Sequence, residues 1–143
     1  MKVSVKISGL SKEELVDFLS TALYGNPVFQ AYVEDASRHL TQGETYYEDK
    51  LASALLKGGK IVIVDAEGEE INGPAKGVDA KLDEEQAMAE YTIDLKAVQN
   101  GLKRALECFE PSAFRLLEND GSFDAFDADL LLQYIIFGEV VYA

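Results

Sequence analysis

Asp127-Ala-Asp-Leu-Leu-Leu-Gln-Tyr-Ile-Ile-Phe-Gly-Glu-Val-Val-Tyr-Ala143 closes the chain and decides how it folds. Leu130, Leu131, Leu132, Tyr134, Ile135, Ile136 and Phe137 leave almost no polar side. A helix over 128–137 must therefore be enclosed by the rest of the domain or by a second subunit. Asp127 is placed to cap its N-terminus and Gly138 to stop it. Only Asp129, Gln133 and Tyr134 offer it polar groups. Ten residues give a rod of about 15 Å at the usual rise per residue. Such a rod needs a broad apolar surface to pack against, and the upstream sequence supplies one.

Working back from this segment, Asp94 is an N-cap for the clearest amphipathic helix in the chain. Leu95, Val98, Leu102, Ala105, Leu106 and Phe109 fall on one buried face. Pro111 opens a short helix that continues over 112–118, and Asn119-Asp-Gly121 is a turn. Ala87, Ala89, Tyr91 and Ile93 alternate as a half-buried strand. Lys60-Ile-Val-Ile-Val-Asp65 is apolar on both faces, which suits a central strand. Asp65-Ala-Glu-Gly68 reads as a turn, with Gly68 free to take the left-handed conformation, and Glu69-Glu-Ile-Asn72 as the returning strand of a hairpin. Gly73-Pro74 closes that unit. Residues 75–86 are polar and acidic without a period and read as an exposed loop.

Nearer the start, Val3, Val5 and Ile7 alternate with polar residues as a strand. Ser11-Lys-Glu-Glu14 is a capping box ahead of Leu15, Phe18, Leu19, Ala22 and Leu23, a helical stripe that Gly25 and Pro27 end. Residues 28–40 fit a strand through Phe29, Ala31 and Val33. They also fit a helix through Phe29, Val33, Ala36 and Leu40. Alternation is lost after Val33, which tips the reading to helix. Thr45-Tyr-Tyr-Glu48 is a second capping box, followed by the stripe Tyr47, Leu51, Ala54 and Leu55 and a stop at Gly58-Gly59. Strands and helices are mixed rather than strictly alternating. The expected fold is one α+β domain over residues 1–143: a mainly antiparallel sheet, a central hairpin, and four to five helices with the last one buried.

A length of 143 residues suits one domain with its own core. The opening residues lack the continuous apolar run of a signal peptide, and no run approaches the roughly 18 residues of a membrane helix. The expectation is a soluble cytoplasmic protein with no membrane association. The net charge of −13 is uneven: residues 65–90 carry nine acids against two bases, and residues 107–143 are again net −7. That sign opposes binding to a phosphate backbone, so direct nucleic-acid binding is not expected. The acidity reads either as a solubilising surface or as a face for a basic partner protein. The candidate face is Glu67, Glu69, Glu70, Asp79, Asp83, Glu84 and Glu85. Self-association is left open.

Catalytic and metal chemistry find little support. His39 is the single histidine and Cys108 the single cysteine, too few for a structural zinc site in one chain. Cys108 lies beside the small residues Ala97 and Gly101 and reads as a partly buried, inert thiol. His39 reads as a surface residue. Gly58-Gly59-Lys60 is followed by Ile61 and a strand, so it is a helix cap and not a phosphate loop. A calcium loop centred on Gly121 would place Leu116 at the first ligand position, which cannot coordinate. No cofactor, metal site or catalytic residue is expected, and the chain reads as a non-enzyme.

The pattern Asp127-Ala-Asp129, Gln133-Tyr134, Phe137-Gly138-Glu139 and Val141-Tyr142 resembles the closing motif of a family of small proteins encoded by bacteriophages and prophages. Thr21-Ala-Leu-Tyr-Gly25 followed by Phe29 resembles that family's N-terminal pattern. The resemblance implies a mobile-element origin. The family has no established activity, so no site residues carry over. The leading expectation is a phage-derived acidic protein that acts by binding another protein. Two alternatives are an acidic nucleic-acid mimic that occupies a DNA-binding protein, and a small hydrolase or transferase using carboxylates.

Overall fold

The structure, a computed structural model, describes residues 11–24, 26–34, 47–68, 70–86, 88–118 and 121–142. The strand expected at Val3–Ile7 lies outside them, as do Gly25, His39 and the Thr45 cap. The described elements run α1 (Lys12–Leu23), β1 (Phe29–Val33), α2 (Tyr47–Leu56), β2 (Ile61–Asp65), β3 (Asp79–Asp83), β4 (Met88–Ile93), α3 (Leu95–Glu107), α4 (Pro111–Glu118) and α5 (Ala125–Phe137). The fold is α+β. Its four described strands form an antiparallel sheet in the order β1-β2-β4-β3.

Residues 29–33 form a strand, not the helix that the sequence favoured. Phe29, Ala31 and Val33 point inward, Gln30 and Tyr32 outward, and the segment pairs antiparallel with β2. Pairing with β2 while one face is buried against the helices outweighs the equally good helical spacing. Asn26 fixes the entry. Its side-chain oxygen accepts from the N–H groups of Val28 (2.8 Å) and Phe29 (3.0 Å). Its amide nitrogen donates to the carbonyl of Ala22 (2.9 Å) and to Asp129 (3.1 Å).

β2 is central, as its double-sided apolar pattern requires, with β1 and β4 on either side. The expected return strand at 69–72 does not form. Residues 70–78 cross over β4 instead, and β3 arises inside the stretch read as a loop. The actual hairpin is β3–β4. The misreading has a physical cause. Asp79-Ala-Lys-Leu-Asp83 is a short edge strand in which only Ala80 and Leu82 alternate with charged residues, too brief and too weakly apolar a pattern to stand out within an acidic stretch. Gly68 is not left-handed. It is needed because a Cβ there would sit 2.8 Å from the Asp65 carboxylate.

The helices cover one sheet face. Phe29, Ala31, Ile61, Ile63, Ala89, Tyr91 and Ile93 meet α1, α2, α3 and α5 in one core. α3 and α5 approach closely at Gly101, where a Cβ would fall 2.3 Å from the Cα of Ile135. That glycine is there for close approach, against its poor helix propensity. α1 carries the expected capping box at Ser11 and Glu14, and Asp94 caps α3 by accepting from the Ala97 N–H at 2.8 Å. α2 and α3 end in the same way. The third residue past each helix donates back to the carbonyl five positions earlier: Gly59 to Ala54 at 2.8 Å, Glu110 to Ala105 at 2.9 Å. The left-handed position is Gly58 in one case and Phe109 in the other (φ 56°). Phe109 is consequently turned outward and 66% exposed, where its spacing predicted burial.

Candidate functional site

Two places merit examination: the acidic end of the sheet, and the polar contacts around α5. The register decides the first. Asp65 and Leu82 both pair with Ala89. The turn after β2 and the turn after β3 therefore leave the same end of the sheet, about 10 Å apart at the usual strand spacing. Exposed Glu67 sits in one turn, and exposed Glu84 and Glu85 in the other, with half-buried Asp83 at its base. Asp83 shapes that turn by accepting from the N–H groups of Glu85 (3.1 Å) and Gln86 (3.3 Å).

Asp79 does not join this group. It is exposed at the far end of β3, about 13 Å from Asp83 along an extended strand. Glu70 belongs to the crossover, and Glu69 lies outside the described residues. Between Asp79 and Asp83, Lys81 reaches Glu90 at 3.4 Å, and Glu90 also accepts from the Tyr32 hydroxyl at 2.8 Å. Burial, then the bond to Glu90 and the surrounding acids, push the Tyr32 phenol up to about 12.

Around α5 the structure finds chemistry that the sequence did not reveal. The helix begins at Ala125, one turn earlier than expected, and its N-cap is Asp124. Asp127 is the third helical residue and completes a capping box. It is also buried, and it receives Arg115 through Nε (3.0 Å to each carboxylate oxygen) and Nη2 (2.8 Å), with the Ser112 hydroxyl at 2.8 Å. Burial pushes the Asp127 carboxyl up, but the bonds from Arg115, Ser112 and the Asp124 N–H outweigh it and hold it below the ordinary value. The same contact raises the Arg115 guanidinium.

At the other end Gln133 is not a solvent-facing residue but fully buried. Its side-chain oxygen accepts from the N–H groups of Val141 and Tyr142, each at 2.8 Å. Its nitrogen donates to the Tyr142 carbonyl (3.0 Å) and to Asp129 (2.9 Å). One side-chain amide thus mimics a strand neighbour for the chain's tail. The tail brings Tyr142 over Phe29 and Phe137, and its hydroxyl donates to buried Asp65 at 2.6 Å. Asn72 of the crossover donates its side-chain nitrogen to the Tyr142 hydroxyl (3.3 Å) and its backbone N–H to the Tyr91 hydroxyl (3.0 Å). Burial, then the bond to Asp65 and its charge, push the Tyr142 phenol up to about 12. Gly138 ends α5 in the left-handed conformation (φ 75°), as its position in the sequence predicted.

The polar and aromatic residues of the closing segment therefore have structural work here. Asp127 ties α5 to α4, Asp129 and Gln133 anchor the tail, and Phe137 and Tyr142 close the core. Among the described residues the buried acids are Asp65 and Asp127, and both have partners. Cys108 is exposed, which corrects the reading of a partly buried thiol. A helix end placed by the turn at Phe109, rather than a continuing helix, lifts it from the core. Among the described residues no three His, Cys, Asp or Glu side chains are grouped to hold a metal, and no helix is long and apolar enough to cross a membrane. No protein-family model, curated protein or solved structure matches the chain.

Proposed function

We propose that this is a phage-derived, non-enzymatic cytoplasmic protein that binds a basic partner protein through the acidic end of its sheet. The observation that supports this is the shared sheet end of Glu67, Asp83, Glu84 and Glu85, three of them exposed. Acids held at a rigid sheet end attract a basic surface and speed its encounter, more than they add to final affinity. The reading is preferred to carboxylate catalysis because the buried acids Asp65 and Asp127 are already engaged by Tyr142 and by Arg115 with Ser112. It is preferred to nucleic-acid mimicry because a mimic needs an unbroken row of negative charge, and Lys81 interrupts the row between Asp79 and Asp83.

The test compares the parent with a Glu67→Lys, Glu84→Lys, Glu85→Lys variant as bait in extracts of cells that carry the gene. The parent should retain a basic protein at low salt and release it at high salt, and the variant should not retain it. Retention that survives both the charge reversal and high salt would overturn the proposal.

A further inference from the structure

We infer that the chain's tail controls the acidic end of the sheet: Tyr142 docked on Asp65 holds Glu67 in place, so that tail docking and partner binding are coupled. This rests on the acidic-end reading above and names how that site is regulated. The link is one carboxylate. Asp65 ends β2 and is fully buried. Its Oδ1 accepts from the Glu67 N–H at 3.0 Å, and its Oδ2 accepts from the Tyr142 hydroxyl at 2.6 Å. Its backbone carbonyl accepts from the Gly68 N–H at 3.1 Å, which closes the turn that presents Glu67.

A carboxylate is planar, so fixing both oxygens fixes its rotation about the bond to Cβ. With the tail away, Oδ2 loses its phenol donor, and a buried charged oxygen without a donor is costly. The carboxylate then turns toward the water that enters where Tyr142 lay. That rotation takes Oδ1 from the Glu67 N–H and loosens the turn. The tail is built to move as a unit. Beyond Gly138, the N–H groups of Val141 and Tyr142 and the Tyr142 carbonyl all rest on one side chain, Gln133, and the phenol rests on Asp65. Val140 and Val141 are exposed. The coupling is reciprocal: a cationic group seated at Glu67 steadies the latch as the latch steadies Glu67. The turn at Asp83, at the same end of the sheet, is built on its own carboxylate and stands outside the link.

The test compares the full chain with Tyr142→Phe, which keeps the ring on Phe29 and Phe137 and removes the hydroxyl with its bonds to Asp65 and Asn72. Amide hydrogen exchange is read at Val141, Tyr142 and Glu67, with Glu85 and Gln86 as internal controls. The first three should exchange faster together, by about tenfold, as for loss of a bond to a charged group. The controls should not change. Binding of acetyl-Lys-Lys-Lys-Lys-amide at low salt is measured by calorimetry for the parent, Tyr142→Phe, Glu67→Gln and the double variant. Tyr142→Phe should weaken binding about two- to threefold, the scale of one exposed charge pair. In the Glu67→Gln background it should make no further difference. Faster exchange in the tail with Glu67 unchanged would overturn the coupling and leave the acidic end standing. Equal weakening in the Glu67→Gln background would overturn it too, because the hydroxyl would then act elsewhere. So would a uniform rise that includes Glu85 and Gln86, the mark of a general loss of stability. No peptide binding by any form would sink the acidic-end reading, and the regulatory role of the latch with it, even where the amides move together.

Discussion

The two ends of α5 are held by networks of opposite character. At the N-terminal end a buried carboxylate, Asp127, is met by a guanidinium that still reaches solvent, Arg115, with 39% of its side chain exposed. At the C-terminal end the groups are mostly neutral: the Gln133 amide, three backbone groups of the tail, the phenols of Tyr91 and Tyr142, and Asn72. Among the described residues the carboxylates there are buried Asp65 and half-buried Asp129. The first arrangement suits a helix N-terminus, where negative charge is favoured by the dipole. The second suits a place where chain segments far apart in sequence converge and backbone groups would otherwise go unpaired. The comparison teaches that a nearly all-apolar helix is fixed in position by the few polar residues at its ends, while its apolar middle supplies most of the stability.

The apolar middle sets the largest expected effect. Ile136 is fully buried, and Ile136→Asp would put an unpaired carboxylate there, costing about 4 kcal/mol or more. Chemical denaturation should show loss of the cooperative transition, and near-parental stability would break the view of α5 as core. Asp127→Ala comes next. It removes the cap and strands Arg115 and Ser112, so roughly 2–3 kcal/mol is expected. That is below the full cost of opening a buried pair, because Arg115 can turn to water. Asp124→Ala, which removes the N-cap alone, should cost about 0.5–2 kcal/mol. If denaturation gives equal losses for the two, Asp127 acts as a cap only and the charged network adds nothing.

At the other end Gln133→Leu should cost about 1–3 kcal/mol, the usual loss when buried bonds are left unmade. Hydrogen exchange at Val141 and Tyr142 should rise, and protected tail amides in that variant would show that the tail is held by its aromatic contacts alone.

The smallest effects are in pH dependence, and they separate the two ends by direction. Asp127 has a depressed folded value. Its contribution is present above the ordinary carboxylate range near 4 and is lost as pH falls through the folded value. Tyr142 has a raised one. Its contribution is present below the ordinary value of 10 and is lost as pH rises toward about 12. Thermal melts across both ranges should show Asp127→Ala flattening the acid limb alone. Tyr142→Phe should flatten part of the alkaline limb, with Tyr32, Tyr91 and Tyr134, also raised by burial, contributing to the remainder. A flattened acid limb in the Tyr142 variant would break the separation.

The sequence by itself determined the α+β class, the central place of 61–65, the helices after Ser11 and Asp94, and the enclosure of the last helix. Each follows from a local rule: a capping side chain three residues from its target, or an apolar period that must be buried. It failed where two local patterns were equally good, as at Phe29–Val33, or where a short edge strand buries little, as at Asp79–Asp83. It also failed for Phe109 and Cys108, because the end of α3 is set by backbone bonds and not by side-chain spacing. The acidic residues were legible as a group, but their division between the two ends of the sheet was not. What only the tertiary structure decided is the pairing of Asp127 with Arg115, of Gln133 with the tail and of Tyr142 with Asp65. The last joins residues 77 apart in sequence. No periodicity encodes such contacts, because they exist only once the crossover, the sheet and the helices have brought distant polar groups together.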